Sequence, residues 1–186
     1  MTARPAGGLL AVLVAATVTG SCGNPSTPSS PTSDSGSAIR NDADLFRLFT
    51  VTDPQGTYTV FPNAEPFTTG RLSGSEAHRP VIRVLLNATA AGALVDGRLA
   101  PGMRFPDGAI IVKELRPSAT TLPTLYAVMA RDRSNLLAGN GWLWAEFGPS
   151  GSVAYPVSSR GGACTSCHLR ENGPENDLVR TFERQR

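Results

Sequence analysis

Apolar residues change their spacing several times along the chain, and each change marks a new element. Residues 9–18, within "MTARPAGGLLAVLVAATVTGSC", form a nearly unbroken apolar run. Ten or so residues fall short of the about 20 that a membrane-spanning helix needs, but they suit the core of a secretory signal peptide. The stretch that follows, "GNPSTPSSPTSDSGS", has almost nothing to bury and reads as a flexible tether. The chain thus divides into a signal peptide of the lipoprotein type over residues 1–21, a tether over 22–38 beginning with Cys22, and a folded domain over 39–186.

Within the domain, "NDADLFRLFTV" joins an Asp-rich start to Leu45, Phe46, Leu48 and Phe49, which predicts a short helix. "VIRVLLN" (81–87) is β-branched and compact, a strand, and "ATAAGALVDGR" reads as a short helix stopped by Gly97. "FPDGAIIVKELR" places a turn at 106–108 ahead of a strand over 109–116, and "LYAVMARD" (125–132) is another. In "GNGWLWAEFGPSG" a turn precedes a strand alternating Trp142, Trp144 and Glu146 against Leu143, Ala145 and Phe147. "FPNAEPFTTGRLSGSEAHRP" reads as loop, and the tail after Pro174 as a helix with Leu178, Val179 and Phe182 on one side. Four strands joined by hairpin-like turns predict an α+β domain, mainly β: an antiparallel sheet with a few short helices packed on it.

Composition narrows the chemistry. The net charge is only +2 and the charges are scattered, so there is no electrostatic case for nucleic acid. Sixteen of the seventeen basic residues are arginine, which makes the single lysine, Lys113, worth following. Strand alternation puts Lys113 on one face with Ile111 and Leu115, and Glu114 on the other. A lysine aimed at an apolar face calls for a partner there; the plain alternative is a side chain snorkelling from a strand end.

The three cysteines are sharper still. Cys22 closes the leader after "TGS", which resembles a bacterial lipoprotein signal, although Thr19 stands where that motif prefers leucine. Acylation of Cys22 would hold an exported protein on the periplasmic or cell-surface side of a membrane without spanning it; the alternative is an ordinary signal peptide with an incidental cysteine. Cys164 and Cys167 lie in "CTSCH", where three chemistries compete. Structural zinc takes four ligands, and beyond this motif the chain offers only the distant His78. A thiol-exchange motif belongs near the start of a βαβ unit, whereas this one follows the strands. Covalent haem uses every element: Cys164 and Cys167 as attachment points, His168 as axial iron ligand, one haem c per chain. Nothing after His168 is Met or His. Upstream, Met103 and Met129 are candidates for the sixth position, but a methionine in a strand usually fills core, and His78 in its polar loop reads as a surface residue. A five-coordinate iron with an open face is the economical expectation.

The succession "HRPVIRVLLN", "FPDGAIIVKE", "LYAVMARD", "GNGWLWAEF", "GGACTSCH" resembles cytochrome P-460 and its relatives over roughly the last two-thirds of the chain. The resemblance implies a mostly antiparallel β fold, commonly a homodimer, with a c-type haem and an open distal site. One branch bonds a lysine to the porphyrin edge and oxidises hydroxylamine, passing electrons to a partner cytochrome. The other, the cytochromes c′-beta, lacks that bond and binds nitric oxide or carbon monoxide. Lys113 is the candidate cross-linking lysine, although the span from it to the haem motif is short for the hydroxylamine oxidisers. Glu146, Glu114 and Asp132 are candidate distal bases, and Arg83 or Arg131 could steady a bound nitrogen oxide. A small nitrogen species is the expected ligand. The alternatives are a gas-binding protein without turnover and a six-coordinate electron carrier.

Overall fold

The computed structural model describes residues 39–61, 65–69, 78, 80–170 and 176–179. Residues 1–38, with the predicted leader, Cys22 and tether, lie outside that set.

Seven strands form one antiparallel sheet: β1 (Thr59–Val60), β2 (Thr68–Thr69), β3 (Val81–Leu86), β4 (Ile110–Arg116), β5 (Leu125–Arg131), β6 (Trp142–Phe147) and β7 (Val153–Tyr155). Their order is β1-β3-β4-β5-β6-β7, with β2 also on β3. The four long strands are those expected from the sequence. β1, β2 and β7 are two or three residues long, too short to show an alternation, and β2 lies inside the stretch that reads as loop.

The helices are short and start where side chains satisfy their first N–H groups. In α1 (Asp42–Arg47) the Asn41 side chain accepts from Asp44 N–H, and in α2 (Ala88–Gly92) Asn87 accepts from Ala90 N–H. α2 ends at Gly92, ahead of the expected stop; a bridged turn between Val95 and Arg98 follows, with Asp96 and Gly97 at positive φ. α3 (Gly162–His168) contains the "CTSCH" motif. The predicted C-terminal helix falls mostly outside the described residues. Its described part, 176–179, is a turn, because Asp177 (φ 52°) and Leu178 (φ 70°) are left-handed and break a right-handed helix. Among the described residues no helix is long and apolar enough to cross a membrane.

Strand alternation divides the buried residues into two clusters. Leu85, Val112, Val128, Leu143, Ala145 and Phe147 line one face, which is closed by Leu45 of α1 and by Phe49 of the π-helical turn that follows it, Leu48–Thr52. Phe49 is fully buried among aromatic rings, its centroid 5.3 Å from Phe46, 5.8 Å from Tyr126 and 5.9 Å from Phe147. The other face carries Val84, Leu86, Ile111, Met129, Trp142 and Trp144, packed with Phe105, Leu178 and Val179. The first face is thus a closed core, and the second bears the candidate chemistry. Phe49→Ala should therefore destabilise the fold by about 3–5 kcal/mol, read by denaturant unfolding, while leaving the spectrum of any bound chromophore unchanged.

Candidate functional site

Register places the reactive side chains. Lys113 pairs with Val84 on β3 and Ala127 on β5, Ala127 pairs with Glu146, and Glu146 with Tyr155. Residues directly opposite in a sheet share a face, so Lys113, Glu146 and Tyr155 lie in one row with only the methyl of Ala127 between the lysine and the glutamate. The adjacent row holds Ile111, Met129 and Trp144. Burial lifts the Glu146 carboxyl above the usual carboxylate range, and the positive charge of Lys113 offsets part of that rise.

α3 supplies the other half of the site. Residues three and four apart share a helix face, so Cys164, Cys167 and His168 project from one side. The helix begins after two left-handed residues, Arg160 (φ 51°) and Gly161 (φ 73°). Gly161 is required twice over: its φ disfavours a side chain, and a Cβ there would run into the Trp144 indole. Trp144 donates its Nε1–H to Gly139 O at 3.0 Å and meets the His168 ring edge-on at 5.0 Å. Neither Cys164 nor Cys167 is in a disulfide. Burial pushes the Cys164 thiol up to about 11, and Glu146 adds to the shift.

His168 Nδ1 lies 2.6 Å from the carbonyl oxygen of Leu178. A carbonyl only accepts, so Nδ1 carries the proton and the neutral ring presents its lone pair at Nε2. That is the arrangement in which a histidine binds a metal. The Leu178 carbonyl is held in turn by Asp177. This buried carboxylate accepts from Phe105 N–H at 2.9 Å and pairs with Arg104 at 3.3 Å and Arg131 at 3.4 Å. The Asp177 carbonyl accepts Trp142 Nε1–H at 3.0 Å. Arg131, buried, also donates to Asn140 O and lies 5.1 Å over the Trp142 ring.

Of the other sequence candidates, Arg83 and Glu114 lie on the sheet face opposite Lys113. They form a two-point pair at 2.7 and 3.0 Å, joined by Arg116, and both arginines sit over the Phe67 ring. Asp132 is tied into a turn by Ser134 and Asn135. Met103 is exposed and Met129 is packed in the core. His78, which reads as a surface residue, is half-buried beside the site, with its Nδ1 2.8 Å from Lys113 Nζ. Sequence reasoning missed Tyr155, whose hydroxyl accepts from Ala163 N–H at 3.3 Å, and the Asp177 clamp. Tyr155 gave no signal because its strand is three residues long; Asp177 sits in a segment whose apolar spacing reads as helix.

Two thiols and an imidazole on one helix face, with the imidazole tautomer fixed for metal binding, fit haem. Among the described residues no group of three or more His, Cys, Asp or Glu side chains is placed to hold a bare metal ion. The class that the sheet and the site fit is a haem protein, in which Cys164, Cys167 and His168 on α3 are the residues that would hold the group. The family profile described as Cytochrome P460 matches residues 65–181. The chain belongs to the cytochrome P460 family. No curated protein matches it significantly.

Asp177→Ala should destabilise the protein by about 3 kcal/mol or more, because it leaves Arg131 buried without its carboxylate. Denaturant unfolding of the haem-loaded protein checks this. Arg104→Ala, which removes a half-exposed partner, should have a much smaller effect.

Proposed function

We propose that this domain holds one haem through Cys164 and Cys167, with His168 as axial ligand, and takes hydroxylamine or nitric oxide on the opposite, open face of the iron. The observation that carries this reading is Glu146: a half-buried carboxyl with a raised pKa, in the same row as Lys113 and one row from the Trp144–His168 contact. Haem bound there supplies a coordination position and a sink for electrons, which a partner cytochrome collects. Oxidising an N–H or O–H compound releases protons as well. Glu146 takes one, since a carboxyl whose pKa burial raises is a better base than an ordinary carboxylate. Ile111, Met129 and Trp144 keep the adjoining surface apolar.

The contact between Lys113 and His78 favours a second reading. A lysine amine hydrogen-bonded to an imidazole suits a face that binds nitric oxide or carbon monoxide without a lysine–porphyrin bond. Export and acylation at Cys22 complete the proposal and put the domain at a membrane surface.

Haem peroxidase staining should survive denaturing electrophoresis and disappear in Cys164→Ala/Cys167→Ala. Mass spectrometry of the haem peptide asks whether Lys113 travels with it. Hydroxylamine oxidation should fall as pH drops through the Glu146 titration, at a pH above that of an ordinary carboxylate, because the base must be unprotonated. Glu146→Gln should abolish that acid limb and lower the rate about a hundredfold, while carbon monoxide binding to the ferrous protein persists. A wild-type ferrous protein that ignores carbon monoxide would refute the open face. A protein that binds carbon monoxide but leaves hydroxylamine unoxidised would establish the second reading.

A further inference from the structure

The Leu178 carbonyl fixes which nitrogen of His168 carries the proton, but one hydrogen bond does not fix the plane of a ring. The last torsion of a histidine side chain has a broad minimum, and an N–H···O bond keeps most of its strength over a tilt of about 30°. A second contact is needed, and Trp144 supplies it. Its indole meets the imidazole at 5.0 Å between centroids, with the planes inclined at 80°, an edge-to-face geometry that aromatic pairs favour. The indole is itself held firmly. Trp144 is 3 % exposed, stands mid-strand opposite Met129 and donates its Nε1–H to Gly139 O at 3.0 Å. The same carbonyl accepts Trp142 N–H at 3.1 Å, so both of its lone pairs are used. Backbone packs tightly around this junction: a Cβ at Gly161 would collide with the indole, and one at Gly139 with the Arg160 carbonyl.

We infer that Trp144 is a positioning residue for His168, setting the plane of the imidazole as the Leu178 carbonyl sets its tautomer. The inference rests on the reading above that His168 is the axial ligand. The two holds come from different parts of the chain, one from β6 and one from the 176–179 segment. Removing the indole therefore leaves the hydrogen bond in place and frees only the tilt of the ring. Groups behind a metal-bound histidine set its orientation and its basicity together. A histidine whose plane is loose presents the iron with a spread of geometries, and spectra of the metal read that spread.

The test uses the full haem-loaded protein. Its readouts are the iron–histidine stretching band of the ferrous state, by resonance Raman, and the ferric electron paramagnetic resonance spectrum. Wild type should give one narrow band and one well-defined ferric signal. Trp144→Leu keeps the position apolar but removes the ring, so the band should shift and broaden and the ferric signal should spread. Trp144→Phe keeps an aromatic edge without the Nε1–H anchor and should fall between the two. Phe49→Ala, on the opposite sheet face, serves as the control for lost stability and should match wild type in both spectra. A Trp144→Leu band and ferric signal identical to wild type would overturn the inference. So would a Phe49→Ala protein whose band broadens as much as that of Trp144→Leu, because the effect would then be one of stability alone. If Trp144→Leu fails to load haem, Trp144→Phe decides: spectra unchanged from wild type overturn the inference. A wild-type protein with no iron–histidine band refutes the axial-ligand reading itself and the inference with it, whereas a band indifferent to Trp144 overturns the inference alone.

Discussion

The hydrogen bond from His168 Nδ1 to the Leu178 carbonyl governs the site, and it depends on a backbone conformation that leucine rarely adopts. Leu178 has φ 70°, outside the regions a bulky residue normally occupies. Such a conformation persists only where its surroundings over-determine it, and here they do. Asp177, buried and also left-handed, is gripped from the 104–105 segment, from β5 through Arg131 and from β6 through Trp142. Leu178 and Val179 are then pressed into the apolar face of the sheet. The carbonyl direction, and hence the histidine tautomer, is set by a buried charge network a residue away from the bond itself.

The second organising constraint is the alternation of the strands. One sheet face is closed by α1 and an aromatic cluster, at which Tyr58 donates its hydroxyl to the Asp53 carbonyl. At its margin Glu114 gathers Arg83 and Arg116, so these charges are consumed by structure. The other face receives Lys113 and Glu146 only because their positions share parity with Ile111 and Trp144. A slip of one residue in the register of β4 would send Lys113 to the closed face and bring Glu114 in its place. The identity of the site is therefore a property of register as much as of residue type.

How far the sequence foretold this arrangement depended on the range of the interactions. The long strands were legible because compact runs rich in β-branched and aromatic residues, bounded by turn residues, are written locally in "VIRVLL", "IIVKELR", "LYAVMAR" and "WLWAEF". The "CTSCH" stretch stood out because its spacing is a local motif; that a helix sets Cys164, Cys167 and His168 on one side emerged only with α3. Lys113 could be assigned a face but not a partner, since His78 comes from a stretch whose Pro and Gly content read only as loop. The same limit turned Arg83 and Glu114 into candidates: parity separates them from Lys113, but only the fold shows that they satisfy each other. The turn at 176–179 was misread as helix because Leu178 and Val179 are apolar for packing against the sheet, and a left-handed pair leaves no periodic trace.

The position of Leu178 in the chain has a bearing on assembly. All seven strands precede α3, and the carbonyl that orients His168 arrives ten residues after the histidine. The contact that fixes Asp177 against Phe105 spans seventy-two positions, so closing it costs more chain entropy than any local turn. The 176–179 segment thus acts as a latch: a chain clipped before residue 177 would keep both thiols, yet lose the Asp177 clamp and leave the histidine without its orienting carbonyl. The orientation of the His168 ring is in this sense a report that the 176–179 segment has docked.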